Sequence, residues 1–236
     1  MRVWRRSASI CGVILGTILV AAQAHPETDS PGEITGGVTL FKKSMLRGLR
    51  ESNERGGILV YLTGFLQPAP ERSLDLDQRE RRFVPDLLPV VVGQTVEFPN
   101  HDSIYHNVFS VSSVQSFDLG QYKGDDPPRQ VRFERAGLVP VYCNIHPEML
   151  SYVVVLENEA FALSEPDGSF VIPDVPPGDW VAHAWIPGAQ RTSQPVHIVP
   201  GGNAELQFEL RQTEPIKPHH RKDGSNYPKK KDRYDR

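Results

Sequence analysis

Cys143, His146 and Met149 sit three residues apart in the stretch VYCNIHPEM at 141–149, in a chain that otherwise carries little sulfur, with 2 cysteines and 3 methionines in 236 residues. Thiolate, imidazole and thioether are each donors for a soft metal. A second imidazole is available upstream, where His106 begins HNVFSV and can come from an adjacent strand. One thiolate, two imidazoles and a weak thioether make the trigonal set that suits copper moving between two oxidation states. Sulfur donors favour Cu(I), imidazole accepts Cu(II), and a frame that changes little between them keeps reorganisation small. Zinc asks for four firm ligands or an open water position, and methionine is not a customary zinc ligand. A nucleophilic Cys143 with His146 as base would leave Met149 and His106 without a role. Taken singly, Cys143 reads equally well as a small buried hydrophobe, His146 as a surface side chain and Met149 as core filler. Only the set points to copper.

The amino terminus bears on the state of the thiol. MRVWRR places three arginines before the uncharged run SASICGVILGTILVAA, and AQA at 22–24 ends it with the small residues a signal peptidase reads. Cleavage is expected after Ala24, with residues 1–24 as a leader and the mature protein periplasmic or otherwise exported. No stable membrane insertion is expected once the leader is gone. Cys11 leaves with the leader, so Cys143 has no intramolecular disulfide partner in a compartment where thiols are normally oxidised or paired. A lone thiol there is buried or occupied, and a metal is the simplest occupant. His25 would become the terminal residue, where amine and imidazole can chelate copper, but no second histidine is placed beside it.

The elements that must hold these side chains read as β. Short β-branched or aromatic runs (GGVTLF, GILVYLTGF, LPVVVGQTVEFPN, HNVFSV, RQVRFE, LVPVYC, SYVVVLEN) alternate with Gly, Pro, Asn and Asp clusters, and 21 prolines exclude long helices. KKSMLRGLRES at 42–52 fits either a short helix carrying Met45, Leu46 and Leu49 on one face or a long hairpin loop. A composition break near Glu157 separates a first body, residues 57–157, from a second, residues 158–211. Residues 25–56 supply an N-terminal strand and loop that can belong to the second. From residue 211 the tail carries 9 basic and 4 acidic side chains with almost no aliphatic ones. Residues 212–236 are therefore expected to be a disordered basic tail whose deletion leaves metal binding and melting unchanged. The mature body is acidic, and no nucleic-acid partner is expected.

GQTVEFPN, HNVFS and VYCNIHPEM together resemble a type 1 (blue) copper protein, a cupredoxin of the plastocyanin and amicyanin kind with the short Cys-x-x-His-x-x-Met loop. FDLGQY at 117–122 and PDGSFVIPDVPPGDW further resemble the cupredoxins grouped as methylamine-utilisation proteins. The resemblance implies a Greek-key β-sandwich over 57–157 with His106, Cys143, His146 and Met149 as copper ligands. It also implies that Asn107 hydrogen-bonds near the thiolate and ties the two ligand-bearing loops together. Tyr105 departs from the pattern, standing where plastocyanins usually have proline. DGSF and PGDW are similar to the turn and corner of a carboxypeptidase-regulatory or transthyretin-like sandwich, and GGVTLF and GILVYL look like its first strands. The copper domain is then either an insertion in a discontinuous sandwich or the first of two domains in series.

The expected function is exported single-electron transfer without substrate turnover, between redox proteins such as a c-type cytochrome or a periplasmic dehydrogenase. Copper storage or assembly, and a binding module with a structural copper, are the alternatives. Among the other histidines, His101 either lines the copper face or is simply solvated, the expected reading, and His183 and His197 are expected to be paired surface or rim groups. His219 and His220 are expected to bind metal loosely or not at all.

Overall fold

The computed structural model describes residues 29–44, 48–216 and 219–228, and among these every regular element is a strand. The leader, His25, Met45 and Leu46 lie outside the described residues. The chain opens with β1 (Gly32–Ser44), β2 (Gly48–Glu51) and β3 (Leu59–Thr63). It continues through β4 (Leu74–Asp75), β5 (Asp77–Arg79), β6 (Arg82–Val84), β7 (Leu87–Val91), β8 (Thr95–Phe98), β9 (His106–Val111), β10 (Ser116–Tyr122), β11 (Arg129–Arg132), β12 (Gly137–Cys143) and β13 (Leu150–Leu156). It closes with β14 (Phe161–Leu163), β15 (Ser169–Val175), β16 (Gly178–Trp185), β17 (Thr192–Ile198) and β18 (Asn203–Gln212).

The sheets sort these strands into two sandwiches. One is made from both ends of the chain: β15, β1 and β18 form one sheet with β2 on the edge of β1, and β14, β3, β16 and β17 form the facing sheet. Strand β1 lies in the middle, antiparallel to β15 and parallel to β18. Alternate residues of each strand point inward, so that Ile34, Val38 and Leu40 meet Val60, Leu62, Ile172, Phe208 and Leu210 in one buried cluster. The other sandwich pairs a five-stranded sheet, β10-β9-β12-β13-β7, with a three-stranded one, β11-β8-β4. Its core gathers Phe83, Phe98, Phe133, Tyr122, Val139 and Val141 around Cys143 and Met149.

The inner body is thus an insertion in a discontinuous sandwich, and the boundary expected at residue 57 moves. Strand β3, the GILVYL run, belongs to the outer sandwich, where it pairs with β14 and β16. The physical reason is that β3 is covered on both faces. Val60 and Leu62 enter the sandwich core, while Leu59 and Tyr61 enter a second cluster with Leu87, Val154 and Leu156 of the inserted body. Tyr152 meets Trp185 edge-on across the same seam, ring centres 5.9 Å apart. A strand buried on both sides shows no alternation, so periodicity alone does not say which body it joins. Segment 42–52 takes the hairpin alternative: β1 and β2 pair from Phe41 with Glu51 to Ser44 with Gly48.

Candidate metal centre

Two of the four candidate ligands arrive on neighbouring strands, and the other two on the turn that follows. His106 opens β9, Cys143 ends β12, and the two strands pair directly, with Cys143 opposite Val108. The turn after Cys143 brings His146 back over the thiol. It is closed by hydrogen bonds from Met149 N–H to the His146 carbonyl and from Cys143 N–H to the Met149 carbonyl, both 3.2 Å. The donor atoms of His106, Cys143 and His146 all lie within 4.8 Å of one another. His106 Nδ1 and His146 Nδ1 are 3.0 Å apart, and Cys143 Sγ is 3.9 Å from His146 Nδ1. His106 and Cys143 have no solvent exposure and His146 has 8 %. Met149 is equally buried, in the same core cluster as Cys143.

Burial holds the Cys143 thiol above its usual range, against the opposing pull of backbone N–H groups of Asn107, His146 and Ile145. Ile145 N–H lies 3.4 Å from Sγ. A buried thiol beside two imidazole nitrogens is a donor set that a metal ion satisfies by taking the place of the thiol proton. The 3.0 Å nitrogen separation also matches two nitrogen–metal bonds of about 2 Å each. The residues present therefore fit a mononuclear metal.

A residue that the sequence reading missed orients the first ligand. Asp102 Oδ2 accepts a hydrogen bond from His106 Nε2 at 2.7 Å, which leaves Nδ1 unprotonated and facing His146. The carboxylate is itself fixed by the backbone N–H groups of Glu80 (2.8 Å) and Arg81 (2.9 Å). Those two residues form the turn between β5 and β6, with φ of 53° and 58°, as a primed hairpin turn requires. Asn100 completes the loop: its Oδ1 accepts from Asp102 N–H, and its Nδ2 donates to the Ile104 and Tyr122 carbonyls. Tyr122 stands opposite His106 in the β9–β10 register, its hydroxyl donating to the Phe98 carbonyl and accepting from Gln78. Partial burial works to raise the Asp102 pKa, but hydrogen bonds from Arg81, His106 and Glu80 outweigh it and hold the carboxyl below its ordinary 3.8. A depressed carboxyl contributes stability that is present at neutral pH and lost as pH falls through the folded-state value. Asp102→Ala is expected to lower metal affinity about 10- to 100-fold with the fold retained, measured by competition with a chelator. Unchanged affinity would mean that Asp102 serves the loop alone.

Asn107 makes the expected contact near the thiol through its backbone N–H and not through its side chain. Its side-chain amide donates to Asp118 Oδ1 (2.8 Å) and to the Gly120 carbonyl (2.9 Å), both on β10, and so away from the 143–149 turn. His101 is half-exposed beside Asp77 and stays out of the cluster. His197 pairs with Asp179 at the surface as expected. His183 is buried instead, bonded to Thr63 and Ser193, because β16 is an inner strand of its sheet. The tail also differs from expectation: residues 219–228 lie against the Cys143 end of the centre, held by hydrogen bonds and ring contacts to β12 and β10.

No protein-family model matches the chain, and no curated protein matches it significantly. Among solved structures, a reduced amicyanin mutant is 27 % identical with a TM-score of 0.34, the match covering 37 % of this chain and 85 % of that one. A Cu(I) form of another amicyanin mutant is 23 % identical with a TM-score of 0.34, over 41 % of this chain and 98 % of that one. A copper-containing nitrite reductase from Thermus scotoductus is 21 % identical with a TM-score of 0.35, over 42 % of this chain but 25 % of its own. The candidate centre stands on its own geometry. Among the described residues no helix is long and apolar enough to cross a membrane.

Proposed function

We propose that the chain is an exported type 1 copper protein of the cupredoxin kind that passes single electrons between redox proteins and turns over no substrate itself. The observation that carries this reading is the convergence of one buried thiol and two imidazole nitrogens within 4.8 Å, in a pocket of core residues. Copper, when bound, supplies the one-electron couple. Cys143 provides the soft donor, and His106 and His146 provide donors acceptable to both oxidation states. Met149, buried on the same turn, is the candidate weak thioether. Asp102 fixes the His106 tautomer, and the burial of His106 and Cys143 excludes water from their donor atoms.

His146 is the most exposed of the three converging ligands, ringed by half-buried Ile145, Pro147 and Leu150. That apolar collar suits brief docking of a partner such as a c-type cytochrome or a periplasmic dehydrogenase. The test is stopped-flow electron exchange between the copper-loaded protein and a small c-type cytochrome. Exchange is expected to be fast and to slow by about tenfold or more in Leu150→Glu, with the reduction potential unmoved, since a charge there meets the partner but not the metal. Exchange no faster with copper than without it would overturn the electron-transfer reading.

A further inference from the structure

We infer that residues 219–228 form a strap that positions the thiolate ligand by gripping the Cys143–Asn144 backbone, a role that rests on reading Cys143 as a ligand. At the end of β12 the Cys143 carbonyl accepts hydrogen bonds from His219 Nε2, at 3.1 Å, and from the Tyr227 hydroxyl. A carbonyl only accepts, so the Tyr227 proton points to it and His219 carries its proton on Nε2, which also faces Tyr227 Oη at 2.8 Å. The grip is stacked in place. His219 lies on the Tyr142 ring with centres 4.6 Å apart, Tyr227 meets His219 edge-on at 5.3 Å, and the Arg221 guanidinium sits 5.6 Å over Tyr227. The strap holds its own turn through Arg221 N–H to the Ser225 carbonyl and Gly224 N–H to the Arg221 carbonyl, with Gly224 at φ 80°.

Lys222 extends the grip to β10, the strand that pairs with ligand-bearing β9. Its backbone N–H donates to Asn144 Oδ1 at 2.9 Å, and its ammonium lies 2.6 Å from Asp118 Oδ2. Asp118 Oδ1 in turn accepts from Asn107, the neighbour of His106. A side-chain connection between the two loops thus runs from Asn107 through Asp118 and Lys222 to Asn144, beside the contact of the Asn107 backbone N–H with the Cys143 thiol. Partial burial opposes ionisation of Asp118, but hydrogen bonds from Lys222, Asn107 and Gly120 prevail and keep its carboxyl below the ordinary range. A carboxylate held in this way accepts all three contacts at neutral pH. None of the strap residues belongs to a buried core cluster, so the strap acts on the centre and not on the stability of either sandwich.

The test compares the full chain with one ending at Ile216, both metal-free, by following iodoacetamide alkylation of Cys143 by peptide mass spectrometry. Truncation is expected to raise the rate about tenfold or more, and Tyr227→Phe, which keeps the ring and loses the hydroxyl, about fivefold. Melting temperature is expected to stay the same. In the copper-loaded forms, truncation is expected to shift the reduction potential and the visible spectrum. Equal alkylation rates in the full and truncated chains would overturn the strap. A changed rate in a protein that takes up no copper would leave the strap standing and remove the copper reading, so the two failures are distinguishable.

Discussion

Replacing Cys143 by serine is expected to abolish the strong visible absorption of the Cu(II)-loaded protein while circular dichroism still reports a folded β protein. Serine keeps the shape of the side chain within an atom but removes the soft donor, because a hydroxyl does not ionise where a metal-bound thiol does. The cost to the fold is moderate. Burying a hydroxyl at a fully enclosed position costs about 1–3 kcal/mol, against a typical domain stability of about 5–15 kcal/mol. His106 and His146 remain, so some metal binding through nitrogen persists without the colour. Retention of the absorption in Cys143→Ser would mean that the chromophore lies elsewhere and that the His106–Cys143–His146 cluster is not the centre.

The second large effect concerns the outer sandwich. Gly36 lies at the middle of β1, where that strand is flanked by β15 and β18. A Cβ built there would stand 1.9 Å from the Leu206 carbonyl oxygen and 2.8 Å from Phe170 Cζ. The first contact is with backbone and cannot be relieved by a rotamer change, so the strand pairing itself must open. Gly36→Val is expected to destabilise the protein by about 3 kcal/mol or more in denaturant unfolding. An unchanged midpoint would contradict the placement of β1 between β15 and β18, and with it the insertion of the copper-like body into a sandwich built from both chain ends.

Much of the site was legible from residue types, and the reason is that its chemistry is local. Cys143, His146 and Met149 share one turn, and His106 stands at the head of a strand whose alternation is plain in HNVFSV. What was not legible depended on contacts distant in sequence. Asp102 is four residues before His106, but its fixation comes from the Glu80–Arg81 turn, which nothing in the NHDSIYH loop announces. The strap was read as disorder because composition measures its lack of aliphatic core residues. Its order comes instead from aromatic stacking and from hydrogen bonds to the Cys143 carbonyl at the end of β12, neither of which composition counts. The boundary at residue 57 put β3 in the inner body because a strand covered on both faces reads as a plain hydrophobic run, although the likeness of GILVYL to a first strand of the outer sandwich pointed to its place. His183 is paired as expected, and its depth follows from its strand lying inside the sheet, a matter of topology.

The measurement that bears most directly on the proposed function is metal content after repeated oxidation and reduction in the presence of a Cu(I)-selective chelator. An electron carrier holds both oxidation states with one ligand set, whereas a storage or assembly protein releases Cu(I) to a competitor. With Cys143 and His106 fully buried and His106 pinned by Asp102, the centre is expected to cycle reversibly and to keep its copper through several rounds. Copper passing to the chelator within the first reduction would contradict the carrier reading and assign the protein to copper storage or delivery.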